Sequence, residues 1–381
     1  MARILYGVAG EGMGHAIRSR VLIDHLAREH DVQVVVSGRA HDYLKARESD
    51  HLGVKRIWGL TIVYEDNAVR NFRTFLENVR GGVLGGVPHN VLAYLELVEA
   101  FRPEVVVTDF ETWSAIFARR HRLNCISVDN IQIVNRCEHP PEILRGERRA
   151  YLLGKGVVKA KLGPCYHHLV STFFFPKVVK PRTTLHPPVF RPEILAARER
   201  TERGDHLVVY QTSTSNRALP DILRRSGVEC RVYGLRRDLA GDERDGNLLW
   251  RPFSEATFVE DLRTARGVVS GGSFTLMSES VFLGKPMLSV PVRRQFEQIL
   301  NARWLEKLGY GLEAREITAE RLGEYLERLP DLERSLSGYR QDGNSDLLGA
   351  LDRTLQRALS GAPAEEDPEQ DGEAGLADPL L

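Results

Sequence analysis

GVVSGGSFTLMSESVFLGKPMLSVPVRRQFEQILNARWLEKLGYG, residues 267–311, alternates short apolar runs with helix-like segments. Val268 and Val269 end in Ser270-Gly271-Gly272, and a helical segment follows from Phe274. Gly284-Lys285-Pro286 closes that segment, residues 287–290 form a second apolar run, and a longer helix opens near Gln295. Strand, turn, helix, strand, loop, helix is the order of a parallel sheet with crossover helices. Ligands of open parallel sheets sit beyond the carboxyl ends of the strands. Two successive strand ends carry polar groups here, at 270–275 and at 293–298.

The chemistry of those groups points to a phosphorylated sugar. Gly271, Gly272 and Ser273 stand at a helix start, where unpaired backbone N–H groups and the positive end of the helix dipole suit a phosphate. Ser273 and Thr275 add hydroxyls, and Arg293 and Arg294 add charge at the next strand end. Glu279, four residues after Thr275, shares its helix face, and a carboxylate there accepts from a vicinal diol such as a ribose. Glu297 and Gln298 open the following helix at a height suited to sugar hydroxyls. The plain alternative is a Gly-Gly turn with Ser273 as a helix cap.

The run S-G-G-x-x-T-x-x-x-E, then G-K-P, then Q-F-E-Q-x-x-N-A-x-x-L-E-x-L-G-x-G resembles the donor-binding region of GT-B glycosyltransferases. It is most similar to the group around MurG and the UDP-glucosyl and glucuronosyl transferases, and to a bacterial and archaeal branch with Gln-Phe-Glu-Gln at that place. The resemblance implies that Glu279 holds ribose, that Glu297 and Gln298 contact the donor sugar, and that the Gly-rich turn faces the diphosphate. MurG-like enzymes carry Gln-Gln where this chain has Glu297-Gln298. The resemblance is strong in the C-terminal half and moderate in the first 20 residues.

Bulk properties bound the rest. With 381 residues, 42% hydrophobic and 27% charged, the chain is long enough for two globular domains. A formal net charge of zero gives no global field for nucleic acid. Cys125, Cys137, Cys165 and Cys230 are widely spaced, with neither a C-x-x-C pair nor metal-site spacing, and read as reduced core thiols. The opening MARILYGVAGEG is a strand running into a Gly turn, too soon broken for a signal peptide. No stretch has the roughly 18 apolar residues of a membrane span. The expected compartment is the cytoplasm.

In chain order, residues 4–8 form a strand, followed by Gly10-Glu11-Gly12-Met13-Gly14-His15 and a helix running to about His30. The turn spells G-x-G-x-G, not the dinucleotide fingerprint, and lacks a phosphate-loop lysine. It resembles the N-terminal loop of GT-B enzymes, which faces acceptor and donor phosphates, so Gly14 is a donor contact and His15 the candidate base. Imidazole near neutral pH takes a hydroxyl proton; packing at the helix start is the alternative for His15. Residues 61–88, with Gly81, Gly82, Gly85 and Gly86, suit an acceptor-facing loop or a plain surface excursion. Residues 105–108 form a strand ending in Asp109-Phe110-Glu111. Asp109 has three readings: partner of His15 as the resemblance implies, helix cap, or part of a D-x-E metal motif.

Asn130 and Gln132, beyond the strand at 125–128, are candidate acceptor contacts. Residues 145–182 carry nine Lys/Arg and one acid with apolar residues between, a composition suited to an anionic membrane face or to solvent. Residues 168–175 read as the last strand of the first domain. The proline-rich stretch from Lys180 to Pro192 reads as the interdomain linker, with a charged helix after it. Strand 207–210 opens the second domain and ends in a polar turn whose Thr212 and Ser213 are candidate diphosphate contacts from the opposite side, although the Gly-rich turn of GT-B relatives is missing there. In GT-B relatives the loop matching residues 251–254 packs on the base, which marks Phe253. Helices follow at 318–329, 331–339 and 346–359, and the acidic tail from Ser360 reads as disordered.

The expectation is therefore an α/β chain of two Rossmann-like parallel-sheet domains facing across a cleft. An acceptor domain spans 1–180, a linker 181–205 and a nucleotide-sugar domain 206–343. A helix at 344–359 crosses back to the first domain, and the tail covers 360–381. The expected function is inverting transfer of a hexose from a UDP-sugar to an acceptor hydroxyl, with no metal and no cofactor beyond the nucleotide sugar. A nucleotide-sugar 2-epimerase and a non-catalytic sugar-nucleotide binder are the alternatives. The acceptor class (lipid, glycan or natural product) stays open.

Overall fold

The computed structural model describes residues 1–10, 12–58, 64–65, 68–69, 87–211, 218–236, 238–292 and 295–365. The loop glycines 81–86, Thr212, Ser213, Arg293, Arg294 and the tail from 366 lie outside the described residues.

Apolar runs such as Arg3–Val8 and Val105–Asp109 are buried along nearly their whole length, as strands covered on both faces must be. They build two seven-stranded sheets. In the first, all parallel, the spatial order is Leu52–Arg56, Asp31–Val36, Arg3–Val8, Val105–Asp109, Asn124–Asp129, His167–Ser171, Thr183–His186. In the second it is Glu243–Asp245, Leu248–Arg251, Cys230–Tyr233, Leu207–Tyr210, Gly267–Ser270, Met287–Ser289, Gly311–Glu313, with only the outermost hairpin antiparallel. The strand order reverses direction between Arg3–Val8 and Val105–Asp109 in one sheet, and between Leu207–Tyr210 and Gly267–Ser270 in the other. Such reversals open a crevice at the strands' carboxyl ends. Both crevices face each other.

Several elements differ from the sequence reading. The first helix is Met13–Leu26, starting two residues before His15 and ending short of His30. The last strand of the first sheet lies within the proline-rich stretch, as Thr183–His186, paired to 168–171. It is a short edge strand between Pro181 and Pro187, so neither length nor alternation betrays it. Ala319–Leu336 is one helix through Pro330, held by buried Leu322, Tyr325, Leu329, Leu332 and Leu336. The last helix, Ser345–Leu359, buries Leu347, Leu351 and Leu355 in the core beneath the first sheet.

The two halves share an apolar seam on one side of the cleft. Phe173 stacks on Phe274 with ring centroids 5.9 Å apart, Phe174 on Trp304 at 5.0 Å, and Tyr151 meets Phe296 at 5.3 Å. Aromatic contacts of this kind each contribute about 1 kcal/mol beyond the area they bury. The seam fixes how the two strand-end crevices oppose one another.

Candidate functional site

Asp109 ends its strand with no solvent exposure. The following residue, Phe110, takes φ 55, a left-handed turn costly for a bulky residue. That turn sends the two carboxylates of Asp109-Phe110-Glu111 in different directions. Glu111 accepts from the N–H of Trp113 at 2.8 Å and of Ser114 at 2.6 Å, capping the Thr112–His121 helix. The helix cap is thus Glu111 and not Asp109.

Asp109 faces the first helix instead. Its Oδ1 lies 2.9 Å from His15 Nδ1 and accepts from Arg18 Nη2 at 2.5 Å, while Ser19 Oγ donates to Oδ2 at 2.8 Å. Burial alone would push the Asp109 carboxyl up, but Arg18 and then His15 hold it down at about 2. In the tautomer whose Nδ1–H donates to this carboxylate, His15 presents its Nε2 lone pair. Sequence reasoning missed Arg18 and Ser19, although Arg18 sits one helical turn after His15, where it must share that face.

Across the cleft, Gly267–Ser270 ends where Ser270 Oγ donates to Tyr210 O at 2.9 Å. Gly272 is required by close approach: a Cβ there would stand 2.5 Å from Gln298 Cβ and 2.9 Å from its Cα. Gln298 Oε1 accepts from Gly272 N at 3.3 Å and from Val292 N at 3.0 Å, tying both strand-end turns together. Ser273 is the N-cap of the Phe274–Phe282 helix and makes no side-chain cap bond. Gly12 likewise caps the Met13–Leu26 helix without a side-chain bond. The two helix starts meet, since Thr275 Oγ1 donates to Gly14 O at 3.1 Å, and a Cβ on Gly14 would lie 2.9 Å from that hydroxyl. Two positive helix ends therefore converge on one spot, neither with an acid in its first turn.

Glu297 lies in the same cleft. Burial pushes its carboxyl up, against the pull of His15 and Arg18, and Asn301 Nδ2 donates to its Oε1 at 3.4 Å. Asn301 also reaches Asn130 Oδ1 at 3.4 Å, and Asn130 Nδ2 donates to Ser171 O at 3.0 Å. Asn130 thus joins the two halves, and at 1% exposure its side chain is engaged within the protein. Gln132 is also buried; its N–H is held by Asp129 and its Oε1 by Asn135. Phe253 is the opposite case, 61% exposed just past the Leu248–Arg251 strand, near Tyr210 at 6.4 Å.

Glu279 is buried and gripped by a residue the sequence did not single out. Arg191 Nε and Nη2 donate to its two oxygens at 3.0 Å each, and Arg191 Nη1 donates to Glu255 Oε1 at 2.7 Å. Burial pushes the Glu279 carboxyl up, and Arg191 opposes it. Arg191 lies 88 residues from Glu279, in a stretch without periodicity, so no local signal reveals it.

A family model described as glycosyl transferase family 1 matches residues 2–330. Among solved structures, the chain is similar to the glycotransferase of kitacinnamycin, at 18% identity over 93% of this chain and 99% of that one, TM-score 0.63. It is also similar to a UDP-glucosyltransferase from Polygonum tinctorium capable of glucosylating indoxyl, at 16% identity, 93% and 99% coverage, TM-score 0.61. The Acinetobacter baumannii MurG aligns at 13% identity, 93% and 99% coverage, TM-score 0.56. At these identities the structural likeness is one of fold. A comparison with curated protein sequences finds no match.

Proposed function

The chain belongs to glycosyl transferase family 1, taking sugar from a nucleotide-sugar donor, and on that premise we propose inverting transfer to an acceptor hydroxyl with His15 as general base. The acceptor O–H gives its proton to His15 Nε2 as the oxygen bonds to the anomeric carbon. The bond from that carbon to the diphosphate oxygen breaks, and the nucleoside diphosphate leaves. Asp109 holds the imidazole's tautomer and stabilises the imidazolium that forms. The helix starts at Gly12 and Ser273, with Gly14, Gly271, Gly272 and Thr275, meet the charge on the leaving diphosphate, a preorganised electrostatic role that calls for no metal. Glu279 takes the ribose, Phe253 the base, and Glu297 with Gln298 a hexose.

One observation carries this reading. The His15–Asp109 pair, at 2.9 Å, and an uncapped helix start in the other half are joined by the Thr275–Gly14 bond at 3.1 Å. That contact supports a base and a phosphate seat close together across the cleft. The test is a thermal-shift panel of UDP, TDP, GDP, ADP, CMP and NAD, with and without EDTA. A ligand at 100 times its dissociation constant adds about 2.7 kcal/mol. A selective shift with one nucleoside diphosphate, unchanged by EDTA, is expected. Silence for every diphosphate with a response to NAD would overturn the reading.

The partner side has its own support. The Arg148–Leu162 helix exposes Leu152 (58%), Leu153 (64%) and Val157 (56%), with Arg148, Arg149, Lys155, Lys159 and Lys161 on the same helix and no acid. Its inner face packs Tyr151 on Phe296, the neighbour of Glu297. On these exposed apolar and basic residues we assign this face to peripheral contact with an anionic membrane surface. Flotation with anionic vesicles, lost in neutral vesicles, high salt or Leu152→Ser/Leu153→Ser, is the expected result. Equal flotation of the double variant would refute it.

A further inference from the structure

Arg191 is a fully engaged cation beside Glu279, and no step of the proposed reaction uses it. It stands at the N-cap of the Pro192–Glu199 helix with extended backbone, φ −61 and ψ 152, and its side chain is 3% exposed. All three guanidinium nitrogens are occupied: Nε and Nη2 make a parallel pair of bonds to Glu279 at 3.0 Å, and Nη1 bonds Glu255 at 2.7 Å. Glu255 in turn accepts from Arg20 Nη1 at 3.4 Å, and Arg20 Nη2 donates to Glu193 at 3.0 Å. Arg20 belongs to the same helix as His15.

An ion pair that served only to bridge the connecting segment to the second half would need one contact. The fork geometry does more. Two parallel N–H···O bonds fix the plane of a carboxylate as a single contact cannot. Each carboxylate oxygen has two acceptor sites, about four in all. Arg191 takes the two parallel sites that face it, one on each oxygen of Glu279, and leaves one outward-pointing site on each oxygen, where a ribose hydroxyl can donate. The bond to Glu255 keeps the guanidinium from swinging away. Removing it would leave a carboxyl buried without a counter-charge, which takes up a proton and ceases to be an oriented anionic acceptor.

We propose that Arg191 is a positioning residue for the donor's ribose, holding Glu279 as an oriented anion whose free outward lone pair receives the 2′ hydroxyl. This inference rests on the reading of Glu279 as the ribose's partner. Its specific consequence is discrimination between a ribonucleotide and its 2′-deoxy counterpart, because the lost hydroxyl removes a bond made to a charged acceptor.

The experiment measures dissociation constants of UDP and 2′-deoxy-UDP by calorimetry for the full chain, Arg191→Met, Arg191→Lys and Glu279→Gln. The wild type is expected to prefer UDP by about tenfold. Arg191→Met should bring the ratio to within about twofold of unity. Arg191→Lys, which keeps the charge and the fold but loses the fork, should lower it at least threefold, and serves alone where the Met variant does not fold. Arg191 variants that keep the wild-type ratio while melting earlier would make the residue a structural bridge and overturn the proposal. If Glu279→Gln loses the ratio and the Arg191 variants keep it, only the positioning role fails. If Glu279→Gln also keeps it, the ribose reading fails with it.

Discussion

The two strand-order reversals are alike in topology and opposite in chemistry. At the first, between Arg3–Val8 and Val105–Asp109, the crevice floor carries His15, Arg18 and Asp109, all titratable or charged and tied together at 2.5–3.1 Å. At the second, between Leu207–Tyr210 and Gly267–Ser270, it carries Ser270, Gly271, Gly272, Ser273 and Thr275, neutral groups backed by a helix end. A proton is moved by a group whose charge can change, and a charged buried triad keeps such a group poised. A diphosphate is held by fixed dipoles, which cost little to keep in place before the ligand arrives. On the mechanism proposed above, the doubled fold divides the work: the first half supplies the base, and the second supplies most of the donor's contacts.

Breaking the reactive half should give the largest effect. His15→Ala should lower donor consumption about 10²–10⁴-fold, read as turnover at saturating donor. Asp109→Asn should come next, because it strands Arg18 in the interior without its counter-ion. A stability loss of about 3 kcal/mol is expected in chemical denaturation. The pH dependence follows in sign. Asp109 titrates at about 2, below its usual 3.8, so its contribution is full above pH 4 and lost as pH falls through 2. The gap between wild type and variant should therefore close over that window.

The binding half should respond differently. Gly272→Ala forces a Cβ to 2.5 Å from Gln298, and overpacking of this kind costs about 1–3 kcal/mol. The expected result is a raised KM for the donor with kcat little changed. Phe253→Ala removes a largely exposed ring whose aromatic contacts are Tyr210 at 6.4 Å and Phe258 at 5.9 Å. It should weaken nucleotide affinity by about 1 kcal/mol, roughly fivefold, and leave Tm unchanged.

Much of this was legible in the sequence, for a physical reason. Strands buried on both faces are near-continuously apolar, as residues 105–107 are, so the sheets announce themselves. Strand ends that carry Gly, Ser and His are conspicuous against that background. What stayed hidden depends on distance or backbone angle. Thr183–His186 is an edge strand of four residues between prolines. The choice of Glu111 over Asp109 as helix cap is made by the φ of Phe110. The grip of Arg191 on Glu279 spans 88 positions. Asn130 and Gln132 follow a strand's carboxyl end, yet their side chains turn into the protein. Position along the strand does not tell which way a side chain faces.

The division of work is tested most directly by calorimetric titration of UDP into His15→Ala and Thr275→Val side by side with the wild type. The account expects His15→Ala to bind within about twofold of wild type, and Thr275→Val, which loses a hydroxyl at the shared helix start, to bind about threefold to tenfold more weakly. A His15→Ala protein that loses nucleotide affinity while Thr275→Val keeps it would contradict the account, and would make the first crevice the seat of the donor.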